Sequence, residues 1–324
     1  METRPLTAYI ARRLAGAIPL LLLISLISYG LMGLAPGGPT AILSQQARSL
    51  TPAARHAYEV ALGLDKPWYV QYFYWLKELI VHGSLGNSFV DQRPVLARIA
   101  EKLPITVELL SLALLLTLVI AIPIGIRAAV KRDSFFDNAS TAIALIGYGV
   151  PVFWLGILLI DVFAMHLRWL PGSGINSVGR EGDPLDLLRH LILPAFTLAI
   201  VSVAGWLRYQ RASMLDVLDE PYVQTARSKG LPERVVLYRH ALRNALLPMI
   251  TLLGLQLPGL VGGAYFVEYI FSIPGMGYLG INSIFQRDYP TVMGITMLSA
   301  LMVILGNLLA DVLYGAADPR IRYD

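Results

Sequence analysis

The sequence predicts an all-α polytopic membrane protein with six transmembrane helices, and three observations lead there. Of its 324 residues 56% are hydrophobic and 15% are charged, whereas a water-soluble domain carries about 25% charged residues. Six uncharged apolar runs reach the roughly 18 to 20 residues that a helix needs to cross a hydrocarbon core about 30 Å thick. Lysine and arginine in the connecting segments fall unevenly between two sides, as they do when one side is cytoplasmic.

The runs are Leu14–Leu34, Leu109–Ile126, Asn138–Ile160, His190–Leu207, Asn244–Val267 and Tyr289–Ala310. A buried helix in a soluble enzyme can imitate one of them, but six separated by charged loops leave little room for that reading. With the N-terminus inside, the cytoplasmic side holds fifteen basic residues, among them Arg12, Arg13, Lys131 and seven between Arg208 and Arg243. The two short outer loops hold four, namely Arg168, Arg180, Arg189 and Arg287. Both termini are therefore expected to be cytoplasmic. The first run exceeds a usual signal core, and Ala35-Pro36-Gly37-Gly38-Pro39 after it reads as a loop entry without an A-x-A cleavage pattern, so a retained helix is expected.

Between the first two runs, Thr51-Pro52 to Leu64 and Trp68 to Val81 read as short helices. Six of the eight residues from Trp68 to Trp75 are aromatic, a composition suited to the headgroup level, where it forms either an interfacial belt or a platform for an outer partner. Every run contains or begins near proline: Pro19, Pro123, Pro151, Pro194, Pro248 with Pro258, and Pro290. Such prolines serve as hinges in some transporters and are tolerated generally in lipid. The acids Glu108, Asp161, Glu268 and Asp311 fall at the ends of runs, where anchoring is expected rather than a proton relay of paired carboxylates at the midplane.

Several chemistries are excluded. There is no cysteine, hence no disulfide, thiolate or iron–sulfur ligation by this chain. The five histidines, His56, His82, His166, His190 and His240, show no metal-ligand spacing. Gly172-Ser173-Gly174 reads as a turn rather than a nucleophile elbow. No phosphate-cradling G-x-x-x-x-G-K-[ST] occurs, so neither catalysis nor a cofactor is expected in this chain. A net charge of +4 is the mild excess that cytoplasmic loops supply and points to no nucleic-acid partner.

The long inner loop, Arg208 to Asn244, carries the most information. Asp219-Glu220-Pro221 marks a helix start, Gly230 a stop, and Pro232-Glu233 a second start. Tyr222, Ala226 and Gly230 then share one helical face of mostly small residues, flanked by Arg227 and Lys229, which suits close approach to an acidic partner. A solvated, well-capped loop is the plainer alternative.

QTARSKG at 224–230, then LP, then RHALRNALLP at 239–248 resemble the coupling loop of ABC importer permeases of the dipeptide and oligopeptide type. The likeness extends along the chain, through IARRLAGAIPLLLLISLISYGLMGLAPGGP, LGLDKPWYVQYFYWL, LPGSG, FSIPGMGYLG, RDYP and DVLYGAADPRIRYD. The chain departs from the wider importer motif in having Gln224-Thr225-Ala226 where Glu-Ala-Ala is usual, and in a more distant Leu247-Pro248, as the peptide branch commonly does. The resemblance implies a type I ABC importer permease of MetI-like fold, in a bacterial or archaeal cytoplasmic membrane. It implies a second homologous permease, two cytoplasmic ATPases that bind ATP and magnesium, and an extracytoplasmic solute-binding protein. The residues it assigns to ATPase coupling are Glu220, Tyr222, Thr225, Ala226, Arg227, Lys229, Gly230, Leu231 and Arg239.

On this reading the chain divides into a cytoplasmic N-terminus (1–13), a first transmembrane helix (14–34), an extracytoplasmic region (35–102), a five-helix permease core (103–314) that includes the coupling loop (208–243), and a cytoplasmic tail (315–324). The same branch includes permeases for nickel chelates and glutathione, so these stand as alternative cargoes. A stand-alone secondary carrier or channel is the alternative of a different class.

Overall fold

The computed structural model describes residues 6–34, 51, 53, 56–57, 60, 63–246, 249, 252–253 and 264–317. The architecture is all-α, and the described residues contain no strand beyond one isolated bridge between Asn87 and Pro94. Long helices are α1 (Leu6–Gly33), α3 (Val95–Val130), α6 (Pro184–Leu218) and α12 (Tyr289–Ala317), with α2 (Trp68–His82) between the first two. Between α3 and α6 lie α4 (Phe135–Gly149) and α5 (Val152–Leu159), the latter continuing as π-helix over Ile160–His166. Beyond α6 come α7 (Pro221–Ser228), α8 (Glu233–Val235), a π-helical stretch Val236–Ala241, α9 (Leu242–Ala245), α10 (Tyr265–Ile270) and α11 (Met276–Phe285).

Among the described residues four of these helices are long and apolar enough to cross a membrane, and there are up to five spans if α4 and α5 with its π-helical extension count as one bent span, so the expected six are not reproduced one for one. The run Asn138–Ile160 is not a single straight helix: α4 and α5 meet at 99°. The cause is local. Pro151 forces Val150 into extended backbone, φ −78° and ψ 128°, which ends α4. Asn244–Val267 and the outer segment Thr51–Leu64 fall largely outside the described residues. The expected division at 102/103 lies inside the continuous α3.

Helices α3 and α6 form the spine. At 36 and 35 residues each is about 50 Å long, longer than the roughly 30 Å thickness of a hydrocarbon core. They run parallel. Leu109 and Ala113 of α3 meet Leu191 and Leu193 of α6 near one end, and Ile126 and Ala129 meet Met214 near the other. Asp183 caps α6 by accepting from the backbone N–H of Leu185 at 2.9 Å, ahead of Pro184 in the first turn. Helix α4 is capped by Ser134 and tied to α6 by Asp137, whose carboxylate accepts from Arg211 Nε at 2.6 Å and Nη2 at 2.7 Å.

The peripheral α1 packs along α12, and Asp311 accepts from Tyr9 at 2.8 Å and Arg13 at 2.7 Å to join them. Apolar side chains such as Leu20, Ile27, Leu115, Val119, Ile146 and Phe153 remain exposed, as expected of a chain whose surroundings are lipid and neighbouring helices. Among the acids expected to anchor run ends, Glu268 is fully buried in protein.

Candidate functional site

The loop after α6 folds into a compact knob because its punctuation is local and its apolar residues are spaced to face back onto the spine. Asp219 ends α6, and Glu220 turns extended at ψ 141°. Pro221 then opens α7 at the position where a missing N–H has no consequence. At the other end Gly230 adopts φ +73°. Its N–H donates to the Arg227 carbonyl at 2.9 Å, and that of Leu231 to the Ala226 carbonyl at 3.4 Å. This paired closure of a helix C-terminus requires the left-handed conformation, which glycine adopts without strain. Pro232 starts the next helix at once.

Val223 and Ala226, three residues apart, are the buried face of α7. They pack with Ile126 and Ala129 of α3, Met214 of α6, and Val236, Ala241 and Ala245 of the returning segment. Two polar contacts complete the fold-back: Asn244 Nδ2 donates to the Tyr222 hydroxyl at 2.7 Å, and Ser213 Oγ to the Ala245 carbonyl at 2.9 Å. The knob is thus packed against the ends of both spine helices.

This geometry corrects the sequence expectation of one outward face through Tyr222, Ala226 and Gly230. Ala226 is only 5% exposed and faces the chain's own core. A small residue there is needed for packing within the chain, because α7 must lie close against α3 and α6. The other eight residues singled out, Glu220, Tyr222, Thr225, Arg227, Lys229, Gly230, Leu231 and Arg239, are all exposed. Thr225 Oγ1 donates to the Pro221 carbonyl at 2.8 Å, inside the helix. Arg227 does not wait for a foreign acid: its Nη2 lies 2.9 Å from Glu233 Oε1 and its Nε 3.3 Å from Oε2. The pair is well exposed on both sides, so it contributes at most about 1 kcal/mol. Lys229 and Arg239 make no ion pair with any described residue.

Sequence reasoning missed three polar hubs. Asp137 shows a capping pattern, Ser134-x-x-Asp137, but its bond to Arg211, 74 positions away, leaves no local mark. The Arg211 guanidinium, by hydrogen bonding, holds the Asp137 carboxyl below the usual carboxylate range. Asp288 is fully buried and accepts from Ser88 Oγ (2.6 Å), the Phe89 N–H (2.9 Å), Arg98 Nη1 (2.6 Å) and Thr291 Oγ1 (2.7 Å). The third hub is Glu268.

Comparison with known proteins bears on what such a knob serves. Residues 121–323 match the family model described as "Binding-protein-dependent transport system inner membrane component", and residues 6–110 match that of its N-terminal part. The chain is 44% identical to the oligopeptide transport system permease protein AppB of Bacillus subtilis, covering 98% of this chain and all of that one. It is 40% identical to the dipeptide transport system permease protein DppB of Escherichia coli K12, covering 97% and 98%. Among solved structures it resembles a chain of the MetNI methionine ABC transporter in an inward-facing conformation. The TM-score is 0.55 at 17% identity, over 68% of this chain and 96% of that one, a likeness of fold.

Proposed function

This chain belongs to the family of binding-protein-dependent transport system inner membrane components, and on that footing we propose that it is one permease subunit of an ATP-driven importer of short peptides. The observation that carries the reading is α7, a helix braced on the chain's own spine by Val223 and Ala226 while its remaining surface is exposed. Nearly full-length similarity to two permeases named for oligopeptide and dipeptide transport supports the cargo class.

The chain works with a second, homologous permease, two cytoplasmic ATPases that supply ATP and magnesium sites, and an extracytoplasmic binding protein that delivers peptide. Its termini and the 208–243 knob lie in the cytoplasm, in keeping with the basic residues clustered there. Glu220, Tyr222, Thr225, Lys229, Gly230 and Leu231 on α7 and its cap, with Arg227 and Arg239 beside them, meet a groove in an ATPase. Ala226 supports them from beneath.

Mechanism follows from the energetics of switching. Converting a gate from 1:99 to 99:1 in favour of the opposite opening takes about 5.5 kcal/mol of differential binding. The ATPases supply this by binding nucleotide and closing on each other, which displaces α7. Because α7 shares one core with α3 and α6, its displacement tilts the spine and exchanges outward for inward access.

The test is transport of labelled di- and tripeptides into proteoliposomes. The chain with both ATPases, the second permease and the binding protein is expected to accumulate peptide when ATP is supplied. The chain by itself should neither hydrolyse ATP nor accumulate peptide, and either activity from the isolated chain would overturn the reading.

A further inference from the structure

At the opposite end of the molecule from the knob, a buried carboxylate does work that no local pattern announces. Glu268, at 0% exposure, lies on α10. Its Oε2 accepts from the backbone N–H groups of Gly277 at 2.7 Å and Tyr278 at 3.1 Å, and its Oε1 from the hydroxyl of Thr106 on α3 at 2.8 Å. The same Thr106 oxygen accepts from the Met276 N–H at 2.8 Å. Met276, Gly277 and Tyr278 open α11, so three N–H groups left free at that helix's start all find partners on two other helices. The carboxylate also meets the positive end of the helix dipole.

The surrounding glycines leave room for nothing else. A Cβ at Gly275 would lie 2.5 Å from both Glu268 Oε2 and Thr106 Oγ1, and one at Gly277 would lie 2.7 Å from the Tyr265 backbone. Just past the far end of α11, Asp288 binds Arg98, also on α3. Two buried carboxylates, one near each end, therefore fasten α11 to the first third of α3, at Arg98 and Thr106.

Helix α3 gives this clasp its role: its Ile126 and Ala129 share a core with the knob, and Thr106 lies in the same continuous helix. We propose that Glu268 and Thr106 are positioning residues for transport: they make α10 and α11 follow α3, so that motion started at the ATPases is carried along α3 to these two helices. This rests on the permease reading above. Neither residue contacts nucleotide, and neither touches the knob, so their loss is expected to decouple transport from hydrolysis rather than to abolish hydrolysis.

The experiment uses the complete transporter in proteoliposomes, reading peptide accumulated per ATP hydrolysed, KM for ATP, and ATPase recovered with the permease. Thr106→Val keeps the side-chain shape but removes a donor and an acceptor, and Glu268→Gln loses the charge and one acceptor oxygen. Each is expected to lower peptide per ATP about fivefold, equivalent to about 1 kcal/mol for one hydrogen bond, with KM for ATP and ATPase recovery unchanged. Thr106→Ser, which retains the hydroxyl, should restore the wild-type ratio. A wild-type ratio in Thr106→Val overturns the proposal, as does a Thr106→Ser variant as impaired as Thr106→Val. If Glu268→Gln does not assemble, the threonine pair decides alone. A wild-type assembly that fails to take up peptide with ATP would instead overturn the permease reading itself.

Discussion

Replacing Gly230 by valine isolates what the end of α7 requires. Gly230 has φ +73°, and a Cβ placed there meets nothing within 4 Å, so a substitution suffers no collision and its whole effect is conformational. For an L-residue the left-handed region costs roughly 1–2 kcal/mol, and β-branching puts valine at the upper end. That amounts to a reduction of about 5- to 30-fold in the population of the native cap relative to a relaxed one. The relaxed form loses the bonds from Gly230 to Arg227 and from Leu231 to Ala226, and with them the fixed placement of Lys229 and Leu231. In proteoliposomes carrying the full transporter, Gly230→Val is expected to lower peptide uptake per ATP several-fold while membrane insertion stays normal. Gly230→Asn should recover most of the loss, since asparagine tolerates the left-handed region. If valine leaves the ratio intact, or if asparagine is as damaging as valine, the reasoning from backbone conformation is wrong.

Other outcomes follow from the same contacts. Val223→Ala removes two methyl groups from a fully buried site, a loss of about 1.5–3 kcal/mol; limited proteolysis should then cut the 208–243 loop faster and less ATPase should co-purify. Reversing Lys229, which has no acidic partner among the described residues, to glutamate should weaken ATPase recovery more at low salt than at high salt. Arg227→Ala should have the smaller effect, because Glu233 already engages that side chain. Asp137→Asn should destabilise the purified chain by about 3 kcal/mol at neutral pH, toward the lower limit for breaking a buried pair because Arg211 keeps some contact with water. With its folded pKa lowered by the Arg211 hydrogen bond, wild-type Asp137 stabilises fully above its unfolded value near 3.9. That advantage is lost as pH falls through the lower folded value, so the melting temperatures of wild type and variant should converge below about pH 4.

What could be read from the sequence was whatever is written locally. The start of α7 at Pro221, its stop before Gly230 and the restart after Pro232 are set by residues within a few positions of one another, and the structure places them accordingly. The bend between α4 and α5 was half visible: Pro151 was plain, but the uncharged run continues through it, and composition does not distinguish a mild kink from 99°. Ala226 was assigned to the wrong face because a helical wheel shows which residues share a side but not which side is covered. Ile126 and Met214, distant in sequence, decide that. Glu268 looked like an ordinary span-end acid, since its partner Thr106 is 162 positions away.

The central claim is that the knob at 221–231 faces the cytoplasm and is gripped there by the ATPases. The sequence contains no cysteine, so Lys229→Cys introduces a unique thiol at an exposed position. Its reaction with a membrane-impermeant maleimide, measured in oriented vesicles with and without the ATPase subunits, tests the claim most directly. Modification only from the cytoplasmic side, and protection when the ATPases are bound, is the expected result. Modification from the outer side, or reactivity indifferent to the ATPases, would contradict it.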